Sequence, residues 1–428
     1  MMILIFYTLR MVIMRGKTAL LFSICILSAS NFPLVADNKP ERHDTSDFLR
    51  EYHFSIEKRQ LGWSELIFAI DRGQFEIAKK LIDSGANPNA KSIDGTQTPL
   101  SKAIEKGNAE IVQKLIDKGA DVNMVVSGVF DKCMPQIKSD EFPDRTCGPD
   151  EYTALMLAIQ HHQPEIVNIL LENKADYTYR SYLKYQPVHL AVRHNQPKIL
   201  TLLVNKGVDV NSKDLWGYAP LHYGAFMDDR ENVQELAKIL FERGANINQK
   251  IESPVIQFAP LHLAALNGHA DFVQLLIQNS ADVNLQDNNG ATPLWYAVYS
   301  PVESRDVVRG LVNAKADVNY LNGDDVAKDP NFSFGQPALV LAIGLRKFDT
   351  ADILLQNGAY IEIVGQQGET PLLVAVENND LDAVALLVKH GANPSNKGKR
   401  DKGPIDLAME KGYSKVLDAL ISAQAKRL

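Results

Sequence analysis

A short apolar phrase recurs ten times between Leu61 and Ala423, and it constrains the fold more tightly than any other feature of the chain. Clear copies are Ala-Pro-Leu-His-Leu-Ala-Ala at 259–265 and Thr-Pro-Leu-Trp-Tyr-Ala-Val at 292–298. The small residue five places after the Thr/Ala position of each copy is Ala69, Ala103, Ala158, Ala191, Gly224, Ala264, Ala297, Ala342, Ala375 and Ala408. Successive small residues are 34, 55, 33, 33, 40, 33, 45, 33 and 33 positions apart. A shared period of 33 with a few insertions predicts a solenoid of stacked units.

Each period predicts a pair of helices. Thr or its substitute precedes the first helix, and Pro takes the first helical position, where a missing N–H costs nothing. The second helix has apolar residues at helical spacing, as in 272–276. It ends at a residue suited to a left-handed cap, which is Gly85, Gly119, Gly207, Gly244, Gly358 or Gly391, with Lys174, Ser280 and Lys315 in the same position of other copies. One pair is too small to bury its apolar face, so stacking on neighbours supplies the core.

The phrase, the helix pair, the following Ala-Asp-Val-Asn segment and the polar turn resemble ankyrin repeats, over roughly 85% of the chain. The resemblance implies an all-α solenoid of about ten helix-turn-helix repeats with projecting β-turn or hairpin tips. The array is predicted to occupy residues 61–424, with insertions at 124–150, 227–232 and 320–336. The first and last copies depart from the pattern, as terminal repeats with a polar outer face do.

The N-terminus predicts export. Arg15 and Lys17 precede an apolar run at 19–27, which is followed by small residues at 28–30 and 34–36 that suit a signal peptidase. The run is shorter than the roughly 20 residues that a membrane span needs. We therefore expect a signal peptide at 1–36, a linker or capping helix at 37–60, and a bacterial-type protein that is periplasmic or secreted. An uncleaved membrane anchor and a buried N-terminal helix are the alternatives.

Two cysteines support the same interpretation. Cys25 lies within the predicted signal peptide, whereas Cys133 and Cys147 both fall in the insertion at 124–150. Two cysteines in one long loop of an exported chain predict a local disulfide. The alternative is a zinc site that adds His161 and His162, although thirteen residues between two cysteines is not a usual ligand spacing.

The predicted disulfide would change the mass of the protein by a measurable amount. The mature protein isolated without reductant should be about two mass units lighter than its fully reduced form, because forming the S–S bond removes two hydrogens. Closing a loop of about 15 residues should also stabilise the fold by about 3 kcal/mol on the chain-entropy model. Two free thiols in intact-mass spectra would rule the bond out.

The sequence predicts no enzyme, cofactor or metal site. It contains no phosphate-binding glycine loop, no nucleophile elbow and no His-Glu-x-x-His pair. His189, His222 and His262 occupy the His position of the phrase, which in ankyrin repeats is structural and hydrogen-bonds within its turn. The alternative role, in metal binding or acid–base chemistry, lacks converging partner groups. Asp324 and Asp325 offer too few regularly spaced oxygens for a calcium loop.

Charge gives no indication of a nucleic-acid partner. The formal net charge is −7, from 52 acidic and 45 basic residues spread along the chain. One basic turn in the last linker contains Lys397, Lys399, Arg400 and Lys402. A solvated tip is the favoured interpretation, and an anionic partner is the alternative.

The resemblance also places the binding surface. In ankyrin repeats, partners meet the concave side, which is formed by the tips before each first helix and by residues just after the paired small positions. At these positions the fourth to sixth copies carry large apolar and aromatic residues, as protein-binding hot spots do. The predicted partner-binding residues are Tyr182, Leu183, Tyr185, Arg193, Leu215, Trp216, Tyr218, Phe226, Met227, Ile256 and Phe258. The alternative is that some of these rings fold back onto the neighbouring turn.

The predicted function is a non-enzymatic, monomeric scaffold or adaptor that binds one or more proteins outside the cytoplasm. It would touch a membrane only if the N-terminal segment stays uncleaved. Two alternatives stay open: a secreted effector that binds host proteins, and an enzyme or metal module hosted in the inserted loops.

Overall fold

The computed structural model describes residues 64–129, 150–227, 230–252, 257–302, 304–321 and 336–427. Within these ranges the chain forms twenty α-helices, one 3-10 turn and one pair of short strands. The predicted signal peptide at 1–36 and the linker at 37–60 lie outside the described residues. None of the described helices is long and apolar enough to span a bilayer.

The helices alternate between two rows. The first helices of the ten repeats are α1 Glu65–Asp71, α3 Pro99–Glu105, α5 Ala154–Gln160, α7 Pro187–Arg193, α9 Pro220–Tyr223, α11 Pro260–Asn267, α13 Pro293–Tyr299, α15 Ala338–Gly344, α17 Pro371–Glu377 and α19 Pro404–Lys411. The second helices are α2 Phe75–Asp83, α4 Ala109–Asp117, α6 Pro164–Glu172, α8 Pro197–Asn205, α10 Arg230–Glu242, α12 Ala270–Gln278, α14 Arg305–Asn313, α16 Phe348–Gln356, α18 Leu381–Lys389 and α20 Ser414–Ala425. A 3-10 turn, Gly224–Phe226, continues α9.

First helices begin as the phrase predicts. In α3, α5, α13 and α17 the threonine before the helix accepts a hydrogen bond from the N–H three residues later. Proline occupies the first or second position of seven of the ten first helices, including α3 and α13. Both choices deal with N–H groups that have no partner inside the helix.

Second helices end in a left-handed residue. The six glycines of the pattern, at positions 85, 119, 207, 244, 358 and 391, have φ between 80° and 90°. Lys174, Ser280 and Lys315 adopt the same region, at φ of 65°, 70° and 69°. A side chain in this region costs roughly 1 kcal/mol or more, so these three copies accept a weaker cap to keep the same turn.

The core lies between repeats. Each first helix packs against the first helix of the next repeat, and second helices pack in the same way along the other row. The nine alanines at the small position have no exposed surface, and Gly224 is also buried. Small side chains there let neighbouring helices approach closely, so the predicted all-α solenoid is confirmed.

Asparagines in the segments that follow the second helices join successive repeats. Asn89 Nδ2 donates to the Gly119 carbonyl at 2.9 Å, and Asn89 Oδ1 accepts from the Asp121 N–H at 2.7 Å. Asn123, Asn211 and Asn319 make the same pair of bonds to the next repeat. The last residue of the Ala-Asp-Val-Asn segment therefore satisfies backbone groups that a helix end leaves without a partner.

The three insertions differ in what the structure describes. Strands β1 Val126–Val129 and β2 Asp150–Tyr152 pair antiparallel and enclose 130–149, which lie outside the described residues together with Cys133 and Cys147. The extra length at 227–232 adds a turn to α10, which has 13 residues where most second helices have nine. Of the insertion at 320–336, residues 322–335 lie outside the described part.

Candidate functional site

Two neighbouring tips form one hydrogen-bonded edge. They are the turns at 181–185, before α7, and at 214–218, before α9. The first tip closes through a bond from the Ser181 N–H to the Tyr185 carbonyl at 3.0 Å. The second closes from the Asp214 N–H to the Tyr218 carbonyl, also at 3.0 Å. The Leu215 N–H then donates to the Leu183 carbonyl at 3.0 Å, which joins the two tips side by side. The backbones of these two turns are therefore held in a fixed relative position.

A buried carboxylate organises the second tip. Asp214 accepts from the Trp216 N–H at 2.8 Å, the Tyr218 N–H at 2.9 Å and the Tyr223 hydroxyl. Burial raises the pKa of Asp214 to about 6, against the lowering effect of these hydrogen bonds. The tip before α13 repeats the design, since Asp287 accepts from two backbone N–H groups and from Tyr296 Oη at 2.6 Å.

Three histidines hold the tips onto the helices. His189 Nδ1 accepts from the Gln186 N–H at 3.1 Å, while its Nε2 lies 2.9 Å from the Ser212 carbonyl of the next tip. His222 and His262 make the same two contacts, reaching Phe258 O and Ala291 O. A neutral ring with its proton on Nε2 satisfies both partners. Burial lowers the pKa of all three histidines to about 4, and the structural interpretation of these residues is confirmed.

The predicted partner-binding residues divide by exposure. Tyr182 is 77% exposed at the outer end of its tip. Seven others are half-buried, namely Leu183, Arg193, Leu215, Trp216, Tyr218, Phe226 and Met227. Ile256 lies outside the described residues. Tyr185 and Phe258 are only 2% and 1% exposed, so the prediction that they contact a partner is wrong.

Tyr185 and Phe258 each directly precede the N-cap residue of a first helix, and side chains from other parts of the array cover their rings. The Trp216 ring packs on the Tyr185 ring with centroids 5.7 Å apart. Arg193 covers the same ring at 5.3 Å and donates to its hydroxyl at 2.9 Å. Phe258 packs edge-on against Tyr296 at 4.9 Å. The alternative of rings that fold back onto a neighbouring turn therefore holds for the inner face of Trp216.

Three basic side chains near the tips, Arg180, Lys184 and Lys213, are not among the predicted partner-binding residues. Arg180 and Lys184 are exposed, and Arg180 Nη1 donates to the Lys213 carbonyl at 3.2 Å. Lys213 Nζ lies 2.5 Å from Glu252 Oε1. A local charge count gives the missing signal, because residues 177–216 contain six basic and two acidic side chains in a chain whose net charge is −7.

The other candidate sites gain no support. No group of three or more His, Cys, Asp or Glu side chains in the described part is arranged to hold a metal ion. His162 Nδ1 lies 2.9 Å from Gln196 Nε2, so one nitrogen of the alternative zinc site already has a partner, while its cysteines lie outside the described residues, as do Asp324 and Asp325. In the basic turn, Arg400 pairs with Glu377 and Lys402 with Glu410, which favours the solvated tip.

The repeats match known families. The family described as Ankyrin repeats (3 copies) matches residues 37–126, 181–251, 252–322, 319–398 and 339–427, and Ankyrin repeat matches 150–182. These matches cover most of the chain, which therefore belongs to the ankyrin repeat family. Proteins of this family generally mediate protein–protein interactions and are typically non-enzymatic scaffolds.

This chain spans less than a third of the length of the curated relatives reported below. Human "Ankyrin repeat and SOCS box protein 6" is 33% identical over 141 residues, covering 31% of this chain and 30% of its own length. Human "Neurogenic locus notch homolog protein 1" is 32% identical over 147 residues, covering 27% of this chain and 5% of its own length. The human ASB11 ankyrin repeat domain has a TM-score of 0.44 and 25% identity, and covers 56% of this chain and 98% of that one. A bacterial origin stays a prediction from the sequence.

Proposed function

We propose that the chain is a protein-binding scaffold whose partner docks on the tip patch, defined as Tyr182, Leu183, Arg193, Leu215 and Trp216. The observation that carries the proposal is the 77% exposure of Tyr182 on a tip that is hydrogen-bonded to its neighbour. A large aromatic side chain in water on a rigid support has little conformational entropy to lose on binding. It fits the role of an interface anchor.

The patch continues along the first helix of the fifth repeat. Tyr218 and Phe226 are half-buried and pack edge-on with centroids 6.0 Å apart. Met227, also half-buried, follows directly. A partner that covers these side chains together with the tip patch would bury apolar surface on two elements of the same repeat. Such a contact supports affinity by the hydrophobic effect.

We extend the proposal to the place of action. The charged start, apolar run and small residues at 15–36 support export, with the protein acting as a monomeric, non-enzymatic adaptor in the periplasm or outside the cell. The mass measurement that tests the disulfide also tests removal of this segment. Fractionation separates an envelope adaptor from an effector released into the medium.

Alanine substitution of the exposed tyrosine tests the binding site. A photo-crosslinking amino acid placed at 182 should capture the partner in the producing cells. Tyr182→Ala should then weaken the purified complex about tenfold, because truncation of an interface anchor typically costs more than 1 kcal/mol. The combination with Trp216→Ala should weaken it further. Affinity is measured by calorimetry, and helical circular dichroism should stay unchanged for Tyr182→Ala.

The matched control is Tyr360→Ala. Tyr360 is 68% exposed at the start of the segment that follows α16, so the variant removes the same side chain from a similar environment elsewhere in the array. It should leave affinity unchanged. Equal affinity for wild type and Tyr182→Ala would place the interface elsewhere.

A further inference from the structure

We propose that the segment recognised at the tip patch is acidic and extended, with an aliphatic or aromatic side chain seated against Tyr182, Leu183 and Leu215 and carboxylates facing Arg180, Lys184 and Lys213. This inference rests on the proposed function, because it names the class of partner for the same surface.

The charge around the patch opposes that of the whole protein. Six basic and two acidic residues lie between 177 and 216, whereas the complete chain has a net charge of −7. One of the two acids, Asp214, is buried and turned inward to Tyr223. Of the six basic residues, Lys198 and Lys206 belong to α8 and its C-cap, whereas Arg180, Lys184 and Lys213 belong to the two tips. A local positive region on an acidic protein steers acidic partners and repels other copies of the same chain.

The carboxylate of Glu252 lies beside Lys213, where a partner carboxylate is expected to bind. The exposed Glu252 side chain lies 2.5 Å from Lys213 Nζ. Lys213, and to a smaller extent Lys184, lowers the pKa of Glu252 below its ordinary range, so both cations act on the same carboxylate. Exposed ion pairs contribute little to stability. A partner carboxylate can therefore replace or join Glu252 at small cost.

Geometry fixes the cations beside the apolar anchors. Arg180 Nη1 is bonded to the carbonyl of Lys213, which holds the guanidinium across the junction of the two tips. Lys184 has a left-handed backbone, at φ of 56°, and its N–H donates to the Ser181 carbonyl. Basic groups thus flank Tyr182 and Leu183 on both sides of one turn. The arrangement matches an extended segment in which acidic residues flank an apolar one.

Selection from a peptide library tests the inference. A phage-displayed library of random dodecapeptides is panned on the full-length wild-type protein and, in parallel, on Tyr182→Ala. Peptides enriched only on wild type should be rich in Asp and Glu around an aliphatic or aromatic residue. For a synthetic copy of the most enriched peptide, Lys184→Glu with Lys213→Glu should weaken binding at least about tenfold, because like charges then face each other. Glu252→Gln should strengthen it about threefold.

The control reverses a charge outside the patch. Lys198 is exposed near the start of α8 in the same repeat, and Lys198→Glu should leave peptide affinity unchanged. Enrichment of neutral or basic peptides that still depend on Tyr182 would overturn the inference and leave the proposed function standing. An absence of Tyr182-dependent peptides would overturn both. Tighter binding of a single-stranded oligonucleotide than of the acidic peptide, at the same lysines, would overturn the choice of a protein segment.

Discussion

Lowering the pH from about 7 to about 5 should reduce the free energy of unfolding by about 4 kcal/mol. His189, His222 and His262 are buried with Nδ1 accepting a backbone N–H, so a second ring proton would break that hydrogen bond in the folded protein. Their pKa values are about 4 in the folded state, against an ordinary value of 6.5. The unfolded chain takes up these protons first, so stability is complete above about 6.5 and falls as the pH drops towards about 4.

Asp214 opposes the histidines. Its folded pKa of about 6 lies above the ordinary value of 3.8, so the folded protein binds this proton before the unfolded chain does. Protonation of Asp214 therefore stabilises the folded protein as the pH falls below about 6. At pH 5 each histidine lowers the free energy of unfolding by about 2 kcal/mol, and Asp214 raises it by about 1 kcal/mol. The histidines therefore decide the sign of the change.

Urea denaturation followed by circular dichroism at pH 7 and pH 5 measures this effect. A matched variant comes from the second repeat, where Thr98 and Ser101 cap the helix with hydroxyls at the positions of Ala219 and His222. Ala219→Thr with His222→Ser should keep a capped helix and reduce the loss of stability at pH 5 by about 2 kcal/mol. The same pH dependence in both proteins would show that His222 does not drive it.

Restoring the repeat consensus at Gly224 should destabilise the protein by about 2 kcal/mol. Nine repeats have Ala at this position, and Ala ordinarily favours a helix over Gly. Here an added Cβ would lie 2.6 Å from Cζ of Phe272, in the second helix of the next repeat. The Phe272 ring is buried, so it cannot move aside without disturbing the core. Gly224→Ala should therefore lower the urea midpoint.

A second substitution tests the cause. The residue equivalent to Phe272 is Ile166 or Ile199 in other repeats, so Phe272→Ile supplies a smaller side chain known to fit this position. Gly224→Ala should be much less harmful in the Phe272→Ile background, with a coupling energy of about 2 kcal/mol. Additive effects of the two substitutions would mean that Gly224 is required by its own backbone and not by Phe272.

Several features of the fold could be predicted residue by residue. The small positions had to be buried, because the period of 33 sets one side of every first helix against its neighbour. The glycines after the second helices had to be left-handed, because the chain turns there and glycine adopts positive φ without penalty. The structural role of the histidines was implied by the resemblance to ankyrin repeats, and their bonds to backbone N–H groups agree with it.

The candidate site was less accessible from sequence. Tyr182 and Tyr185 are the same residue type three positions apart in one tip, yet one lies in water and the other under the Trp216 ring. The direction of a side chain in a tight turn depends on backbone hydrogen bonds, here between Leu215 and Leu183, that no local pattern encodes. The grouping of Arg180 with Lys213 likewise arises from two different repeats.

The sequence alone determined the class of fold, the number of repeats and the ends of most helices, because each repeat uses local signals that act within a few residues. The tertiary structure decided which apolar and charged side chains are available to a partner. Availability depends on neighbouring repeats: Trp216 covers Tyr185, Phe272 restricts Gly224, and Glu252 reaches Lys213. In a stacked array every such contact crosses a repeat boundary, so it is set by packing between units that are each too small to bury their own apolar faces.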